Sequence, residues 1–191
     1  MYCITMTGSS VLPVSLHEDK LYFLFGKEND KEDSAKGFSD FGGGIEKGET
    51  QKDTAIREGA EELTGFLGDP TELKNLIKNN GGLLEIKIPD YYTHVFYLQY
   101  DPKLPIYYNN NHKFLWDKMN KDVLNETKLF EKIEIQWFTI EDMKTRTQEF
   151  RGFYQKMVAQ LLQSEKRIKK FVKKNSGKKN SGKKNRTLKN K

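Results

Sequence analysis

Residues 50–63 constrain the fold of this chain more than any other segment, because their side chains sort by helical spacing. At roughly 100° per residue, Glu61 and Glu62 lie within about 60° of Glu58 around the helix axis. The apolar side chains fall on the opposite side of that axis: Ile56, Ala60 and Leu63. The spacing predicts an amphipathic helix that buries one side and presents three like charges on the other.

Two interpretations of the three carboxylates are open. They are either a solvated acidic face or a site for a hard cation, since Mg²⁺ and Mn²⁺ prefer carboxylate oxygens and complete their shells with phosphate oxygens. The residues before the helix favour the cation site. Gly42, Gly43 and Gly44 allow backbone conformations that side chains forbid and let a phosphate approach closely, and Glu46 and Glu49 add two carboxylates.

Strand-like and helix-like segments alternate through the rest of the chain up to about residue 165. Period-two or continuous apolar runs predict strands at 11–16, 21–25, 83–88, 93–100 and 133–140. Polar residues 17–19 between the first two runs predict a hairpin. Helical spacing predicts helices at 70–77, 141–144 and 150–162. Residues 102–125, which are rich in Tyr and Asn, are expected to be irregular.

The charge is divided between two segments. The net charge is +6, but residues 166–191 contain thirteen Lys or Arg and no Asp or Glu, so the preceding residues are acidic. A Lys-Lys-Asn-Ser-Gly repeat at 173–177 and 178–182 cannot bury enough apolar surface to offset its ordering entropy. We therefore predict one folded domain at 1–165 and a disordered Lys-rich tail at 166–191.

The tail is expected to bind polyanions such as RNA. Its clustered basic residues are Lys173, Lys174, Lys178, Lys179, Lys183, Lys184 and Arg186. Basic tails are also typical of nuclear targeting signals. The single cysteine, Cys3, excludes an intramolecular disulfide, and neither a signal peptide nor a membrane-spanning run is evident. The sequence predicts a soluble, intracellular and cytoplasmic protein, and it does not indicate an oligomeric state.

Residues 43–62 match a known signature at every charged position. The signature is G-x5-E-x7-R-E-U-x-E-E-x-G-U, where U is a bulky aliphatic residue. Here Gly43 is followed after five residues by Glu49, and after seven more by Arg57-Glu58-x-x-Glu61-Glu62. The chain therefore resembles the Nudix hydrolases, which cleave pyrophosphate bonds with a divalent metal, over about residues 8–162. The resemblance implies the Nudix fold, an α/β/α sandwich around a mixed β-sheet.

The same resemblance implies roles for individual residues. Glu58, Glu61 and Glu62 would bind Mg²⁺ or Mn²⁺ together with a glycine carbonyl of the 42–44 loop, taken as that of Gly43. Glu49 would pair with Arg57 and orient it. The general base varies within the family, and three candidates stay open: Glu58, Glu131 and Glu134. The last two could equally be ordinary charges at a strand edge.

The sequence departs from the signature at two positions. Gly59 stands where a bulky aliphatic residue is usual, which weakens the helix by up to about 1 kcal/mol relative to Ala and is expected to leave space beneath it. The closing glycine, Gly65, comes one residue late. Neither departure changes a carboxylate, so both concern local geometry.

Three functions remain open from the sequence. The segments around 39–44 and 57–66 are similar to Nudix proteins of large DNA viruses, some of which remove mRNA caps, so capped RNA is the leading substrate. The alternative is a small nucleotide, such as a dinucleoside polyphosphate, a nucleotide sugar or a damaged nucleoside triphosphate. A remote alternative is a Nudix-fold module that binds RNA or nucleotides without catalysis. Most of the aromatic residues are expected to lie in the core or at its rim, and one or two of six could stack on a base: Tyr91, Tyr92, Tyr97, Tyr107, Tyr108 and Trp116.

Overall fold

A computed structural model describes residues 8–29, 36–120, 122–123 and 131–177 of the 191-residue chain. The described residues form a seven-stranded mixed sheet with helices on both faces. This confirms the predicted mixed α/β sandwich. The strands are β1 (Gly8–His17), β2 (Lys20–Glu28), β3 (Phe38–Ser39), β4 (Phe41–Gly44), β5 (Leu84–Ile88), β6 (Tyr91–Tyr97) and β7 (Lys132–Thr139).

The helices account for most of the remaining described chain. They are α1 (Gln51–Glu62), α2 (Pro70–Asn79), α3 (Leu104–Lys118), α4 (Ile140–Thr145), α5 (Gln155–Gln163) and α6 (Glu165–Ser176), with a 3₁₀ turn at Thr147–Glu149. Within the described ranges, no helix has the length and apolar character that crossing a membrane requires.

Strands β1 and β2 form the predicted hairpin. Glu18 and Asp19 take φ values of 48° and 59°, and two successive left-handed residues form the kind of turn that matches the twist of a two-residue hairpin. Further from the turn the two strands are joined to others. Strand β1 pairs antiparallel with β4 and parallel with β6, while β2 pairs antiparallel with β3 and β7. The short strands β3 and β4 therefore lie beside the ends of β1 and β2 that are remote from the hairpin turn.

Helix α1 lies on one face of this sheet in the predicted orientation. Thr50 caps its N-terminus in a reciprocal capping box with Asp53. The apolar side buries Ile56, Ala60 and Leu63, with relative exposures of 9%, 7% and 1%, which confirms the predicted amphipathic division.

The structure corrects the expectation of space beneath Gly59. A Cβ at that position would lie 2.3 Å from Val11 Cγ2, so the glycine lets α1 approach β1 closely and Val11 fills the gap. At the end of the helix, Thr64 and Gly65 are both left-handed, with φ values of 49° and 71°. The extra residue before the closing glycine is accommodated in this way.

The prediction that residues 166–191 are disordered from their start is wrong for the described part of that segment. Helix α6 continues to Ser176, and its Ile168 and Val172 are fully buried in the core on the face opposite α1. These two residues are four apart and fall on one side of a helix, while the lysines extend from the other side. Lys169 Nζ, for example, donates to Asp19 Oδ2 at 2.9 Å. Ile168 and Val172, with the partly buried Phe171, therefore pack against the core a helix that its composition alone would leave unfolded.

Residues 104–118 form helix α3 rather than the expected irregular excursion. Two of its polar side chains hold it to other elements, in addition to the apolar contacts of Leu104 and Tyr108 with the core. Tyr108, which is buried, donates its hydroxyl to the backbone carbonyls of Glu62 and Lys132, each at 3.1 Å. The side chain of Asn109 accepts from the backbone N–H of Ile135 at 2.9 Å. Helix α3 is therefore fixed against the end of α1 and the start of β7.

Candidate functional site

Arg57 and Glu49 form a bidentate ion pair at the start of α1. The guanidinium donates from Nε to Glu49 Oε1 at 2.7 Å and from NH2 to Oε2 at 3.0 Å. Thr54 Oγ1 also donates to Glu49, at 2.6 Å. These hydrogen bonds, that from Arg57 first, lower the pKa of the Glu49 carboxyl to about 2, and Glu49 in turn raises the pKa of Arg57. The planar, two-bond geometry holds the loop before α1 against the helix.

The Glu49–Arg57 ion pair is expected to make the free energy of unfolding depend on pH in the acid range. The folded pKa of Glu49, about 2, lies below its ordinary value of 4.5, so the contribution is complete above about pH 4.5 and is lost as the pH falls towards 2. Glu49→Gln should lower the free energy of unfolding by roughly 2 kcal/mol near neutral pH, as expected for hydrogen bonds to charged groups. Urea unfolding across this pH range should show the two proteins converging at low pH. A difference in unfolding free energy that is constant at all pH values, or absent, would contradict this role of the ion pair. Glu141→Gln is the control, because it removes a 76%-exposed carboxylate.

Glu58 and Glu61 lie on the other side of the same guanidinium. Arg57 NH1 is 2.7 Å from Glu58 Oε1 and 3.6 Å from Glu61 Oε2. The Glu58 carboxylate also lies against β4, because a Cβ at position 43 would be 2.6 Å from its Cδ. Gly43 is thus required sterically for the carboxylate to reach this place. The Glu61 side chain is 47% exposed.

The other loop residues have different roles. Gly42 lies so close to β1 that a Cβ there would be 2.4 Å from the Ser9 carbonyl oxygen, whereas a Cβ at Gly44 would meet nothing within 4 Å. The Gly44 carbonyl accepts a long hydrogen bond from Arg57 NH2 at 3.4 Å. Glu46 is 70% exposed and 3.7 Å from the same nitrogen.

Glu62 is buried, unlike its two neighbours in the signature. Its relative exposure is 4%, and its Oε2 accepts from the backbone N–H of Gly42 at 2.7 Å. Burial, together with the negative charges of Glu28 and Glu131, raises the pKa of Glu62 to about 8 against the opposing effect of Lys132. Glu58 and Glu62, one helical turn apart, therefore contact consecutive residues of β4, Gly43 and Gly42.

A buried ion cluster lies behind Glu62, and no pattern in the sequence indicated it. Lys132 is fully buried, with its Nζ 3.3 Å from Glu62 Oε1, 2.9 Å from Ser39 Oγ and in direct contact with Glu28. Arg151 NH1 is 2.7 Å from Glu28 Oε1. Burial lowers the pKa of Lys132, but the charges of Glu62 and Glu28 outweigh that effect and raise it. The four charged residues come from β2, α1, β7 and the chain before α5, so no local pattern could have predicted the cluster.

Asp40 fixes the junction between β3 and β4. It is 1% exposed and accepts hydrogen bonds from Thr93 Oγ1 at 2.6 Å, from Tyr91 Oη at 2.7 Å and from Ser10 Oγ. Burial raises the pKa of Asp40, and these donors oppose the rise. The glycines at 42 and 43 are therefore tied to β1 and β6 on one side while α1 covers them on the other.

The candidate general bases lie at the start of β7. The Glu131 backbone carbonyl accepts from Asn29 N–H at 2.9 Å, and its charge acts on the pKa of Glu62. Glu134 is half-buried and lines a cavity beside α3. Two of the named basic residues of the predicted tail are separated from this site. Lys173 and Lys174 lie on α6, packed on the opposite face of the sheet, and Lys178, Lys179, Lys183, Lys184 and Arg186 lie outside the described residues.

The donor set has the chemistry that a hard cation requires. Glu58, Glu61 and Glu62 supply carboxylate oxygens, and Gly43 leaves room for one of them against the strand. In this arrangement Arg57 contacts Glu58 and Glu61, and Lys132 contacts Glu62. In the part of the chain that the structure describes, no group of three His, Cys, Asp or Glu residues is already gathered around one point. Metal binding would therefore require Glu58 and Glu61 to turn away from Arg57.

No protein-family model matches this chain, and a comparison with curated proteins finds no match. Among solved structures, the chain is similar to a MutT/Nudix family protein from Listeria innocua, with a TM-score of 0.47 and 14% sequence identity. The match covers 84% of this chain and 93% of that one. At this identity the likeness concerns the fold alone.

Proposed function

We propose that this protein is a divalent-metal-dependent hydrolase that cleaves a pyrophosphate bond in a nucleoside diphosphate-linked substrate. The observation that carries the proposal is the placement of Glu58 and Glu62 against the consecutive glycines 43 and 42, with Arg57 braced by Glu49 beside them. Carboxylates gathered on one helix face suit a divalent cation, and such a cation suits hydrolysis of a phosphoanhydride. The signature residues 43–62 and their resemblance to the Nudix hydrolases support the same conclusion.

In this proposal Glu58, Glu61 and Glu62 hold Mg²⁺ or Mn²⁺, with the Gly43 carbonyl as a further donor. The bound cation would supply charge neutralisation at the phosphates and a lowered pKa for an attacking water. The residues of the chain do the rest. Lys132 and the Gly42 N–H hold the Glu62 carboxylate in one orientation. Among the candidate bases we favour Glu131 over Glu134, because Glu131 lies near enough to Glu62 for its charge to raise the pKa of that carboxyl.

Turnover against a panel of substrates tests this function. Capped RNA, free cap analogue, dinucleoside polyphosphates and nucleotide sugars should be incubated with the full chain and Mg²⁺ or Mn²⁺, with and without chelator. We expect metal-dependent cleavage of at least one of them at a pyrophosphate bond. If no member of the panel is cleaved while several are bound, the non-catalytic binding module becomes the better description.

Capped mRNA is the substrate that we favour, and the basic C-terminal segment supports it. Helix α6 and the residues beyond it carry thirteen Lys or Arg and no acidic residue after Glu165, which attract any nucleic acid by releasing condensed counterions. A different observation favours small nucleotides. Helix α6 packs on the face of the sheet opposite α1. An RNA strand bound to α6 must therefore pass around the domain to reach the carboxylates of α1.

Deleting residues 178–191 should separate these two substrates. The deletion begins at 178 because Ile168 and Val172 belong to the core and must be kept. If the substrate is RNA, removing the seven basic residues of 178–191 should weaken RNA binding, flatten its dependence on salt and raise KM on long capped RNA. Turnover of a short cap analogue should change little, because the carboxylates lie within the folded domain.

A matched control keeps the chain length and replaces the seven basic residues of 178–191 by Gln, so that charge is tested apart from length. RNA affinity and KM that are unchanged at low salt in both variants would exclude this segment from substrate capture. The small-nucleotide alternative would then be the better one.

A further inference from the structure

We propose that the cavity between α3 and the start of β7 is a nucleobase-binding subsite, which on the proposed function would hold the base of the substrate while its phosphates reach α1. The cavity has a volume of about 590 Å³, within the range of roughly 300–1,000 Å³ that is usual for small-molecule sites. Its lining includes Asn29, Asn109, His112, Trp116, Ile133 and Glu134.

One wall of the cavity is aromatic. His112 and Trp116 are one helical turn apart on α3, with ring centroids 5.9 Å apart and planes inclined by only 11°. Two nearly parallel rings on one helix face provide a surface on which a flat heterocycle can stack. Trp116 is half-buried, so its ring is held by the fold and still reaches the cavity.

The other walls are polar, which suits the edge of a base rather than an aliphatic ligand. Asp117 and Glu134 place carboxylates at the cavity, where they can accept hydrogen bonds from ring and exocyclic N–H groups. Lys113 adds a cation. Asn109 is held in place by its hydrogen bond to the Ile135 backbone, so this wall is rigid. An aromatic face combined with hydrogen-bonding groups around its rim matches a nucleobase, which has both.

Three lining residues place the cavity beside the carboxylate site, because each is the chain neighbour of a residue at Glu62. Asn109 follows Tyr108, whose hydroxyl is 3.1 Å from the Glu62 carbonyl oxygen. Ile133 follows Lys132, whose ammonium is 3.3 Å from Glu62 Oε1.

The third of these lining residues, Asn29, follows Glu28, which contacts the Lys132 ammonium. Adjacent residues of a strand are about 3.3 Å apart along the chain, so the edge of the cavity lies near the cluster around Glu62.

Equilibrium dialysis with AMP, GMP, CMP and UMP tests the subsite without any chemistry, since a monophosphate contains no pyrophosphate bond. We expect at least one of them to bind the full chain and Trp116→Ala to weaken that binding about tenfold or more, as loss of base stacking does. Trp116→Leu keeps apolar volume and should lose the same affinity, while Trp116→Phe should retain most of it. Phe114→Ala is the matched control, because this aromatic residue of α3 is 60% exposed and does not line the cavity.

Inorganic phosphate gives the base-free comparison, and we expect its affinity to be equal in all four variants. Monophosphate affinity that is the same in Trp116→Ala, Trp116→Leu and Phe114→Ala overturns the subsite, as does the absence of monophosphate binding to the unaltered protein. Such a result, alongside metal-dependent cleavage of the substrate panel, would leave the proposed hydrolase function standing. Trp116-dependent binding in a protein that cleaves none of the panel would support the subsite and remove the hydrolase function.

Discussion

Glu61→Gln is expected to reduce metal-dependent turnover by more than about a hundredfold while the protein stays folded. The change keeps the shape of the side chain but removes one negative charge from a set that must hold a doubly charged ion. Because a catalytic cation supplies several kcal/mol of transition-state stabilisation, and each 1.4 kcal/mol is about tenfold in rate, a hundredfold loss is a modest expectation. Turnover of the best panel substrate should be measured over a range of Mg²⁺ and Mn²⁺ concentrations.

Two observations separate a lost ligand from a damaged fold. The Glu61 side chain is 47% exposed and is 3.6 Å from Arg57, so its replacement should move the melting temperature little. Glu141→Gln removes a 76%-exposed carboxylate 3.9 Å from Lys144 and should leave turnover unchanged. Direct titration with Mn²⁺ should show weaker binding in Glu61→Gln. Full activity of this variant, or of the unaltered protein in chelator, would rule out the metal-dependent function.

Glu62→Gln would be a less selective test, although the signature treats the two glutamates alike. The Glu62 carboxylate is buried between the Gly42 N–H and the Lys132 ammonium, so its neutralisation also removes a partner of a buried cation. Loss of activity in that variant would combine a missing ligand with an altered core. Replacing the exposed Glu61 is therefore the clearer test of metal-dependent activity.

Local patterns in the sequence predicted the elements whose structure depends on local interactions. The division of α1 into a carboxylate side and an apolar side follows from the 3.6-residue period, and the burial of Ile56, Ala60 and Leu63 confirms it. The β1–β2 hairpin was predicted from the polar residues between two apolar runs. The resemblance to the Nudix signature added the pairing of Glu49 with Arg57, which lie eight residues apart and meet at 2.7 Å.

Elements that depend on contacts distant in sequence could not be predicted in this way. Helix α3 has few apolar residues in helical register, and it is fixed by hydrogen bonds between the side chains of Tyr108 and Asn109 and backbone atoms of α1 and β7. Helix α6 could not be recognised among its lysines, since a minority of its residues are buried or pack against the core: Ile168, Phe171, Val172 and Asn175. The cluster around Lys132 joins residues up to 123 positions apart, and a lysine in a strand gives no local sign that it will be buried.

The cluster around Lys132 leads to the second large expected effect. Lys132→Met should lower the free energy of unfolding by about 3–5 kcal/mol, the usual cost of leaving a buried charge without its partner. Arg151 remains beside Glu28, but Glu62 loses its only cationic contact among the described residues. Lys144→Met is the control, because this lysine is 54% exposed and its replacement should change stability by no more than about 0.5 kcal/mol.

The loss in Lys132→Met should grow with pH, and the sign follows from Glu62. Burial already raises the pKa of Glu62 from 4.5 to about 8 in the presence of Lys132, and removing the cation raises it further. Between the unfolded and folded pKa values the folded state holds a proton that the unfolded chain has released, so the free energy of unfolding falls as the pH rises. Urea unfolding of Lys132→Met should therefore show stability declining from about pH 5 and still declining above about pH 8, where the decline that Glu62 causes in the unaltered protein levels off.

A double variant identifies the charge responsible. Adding Glu62→Gln to Lys132→Met removes the carboxylate that lost its partner, so the combined loss should be smaller than the sum of the two single losses by about 1–3 kcal/mol. The decline above about pH 8 should disappear at the same time, because the titrating group is gone. Additive losses, or a decline that persists in the double variant, would mean that Glu62 is not the group that Lys132 stabilises. Lys132 would then act through Glu28 alone, and its position beside Glu62 would have no role in holding the proposed metal ligand.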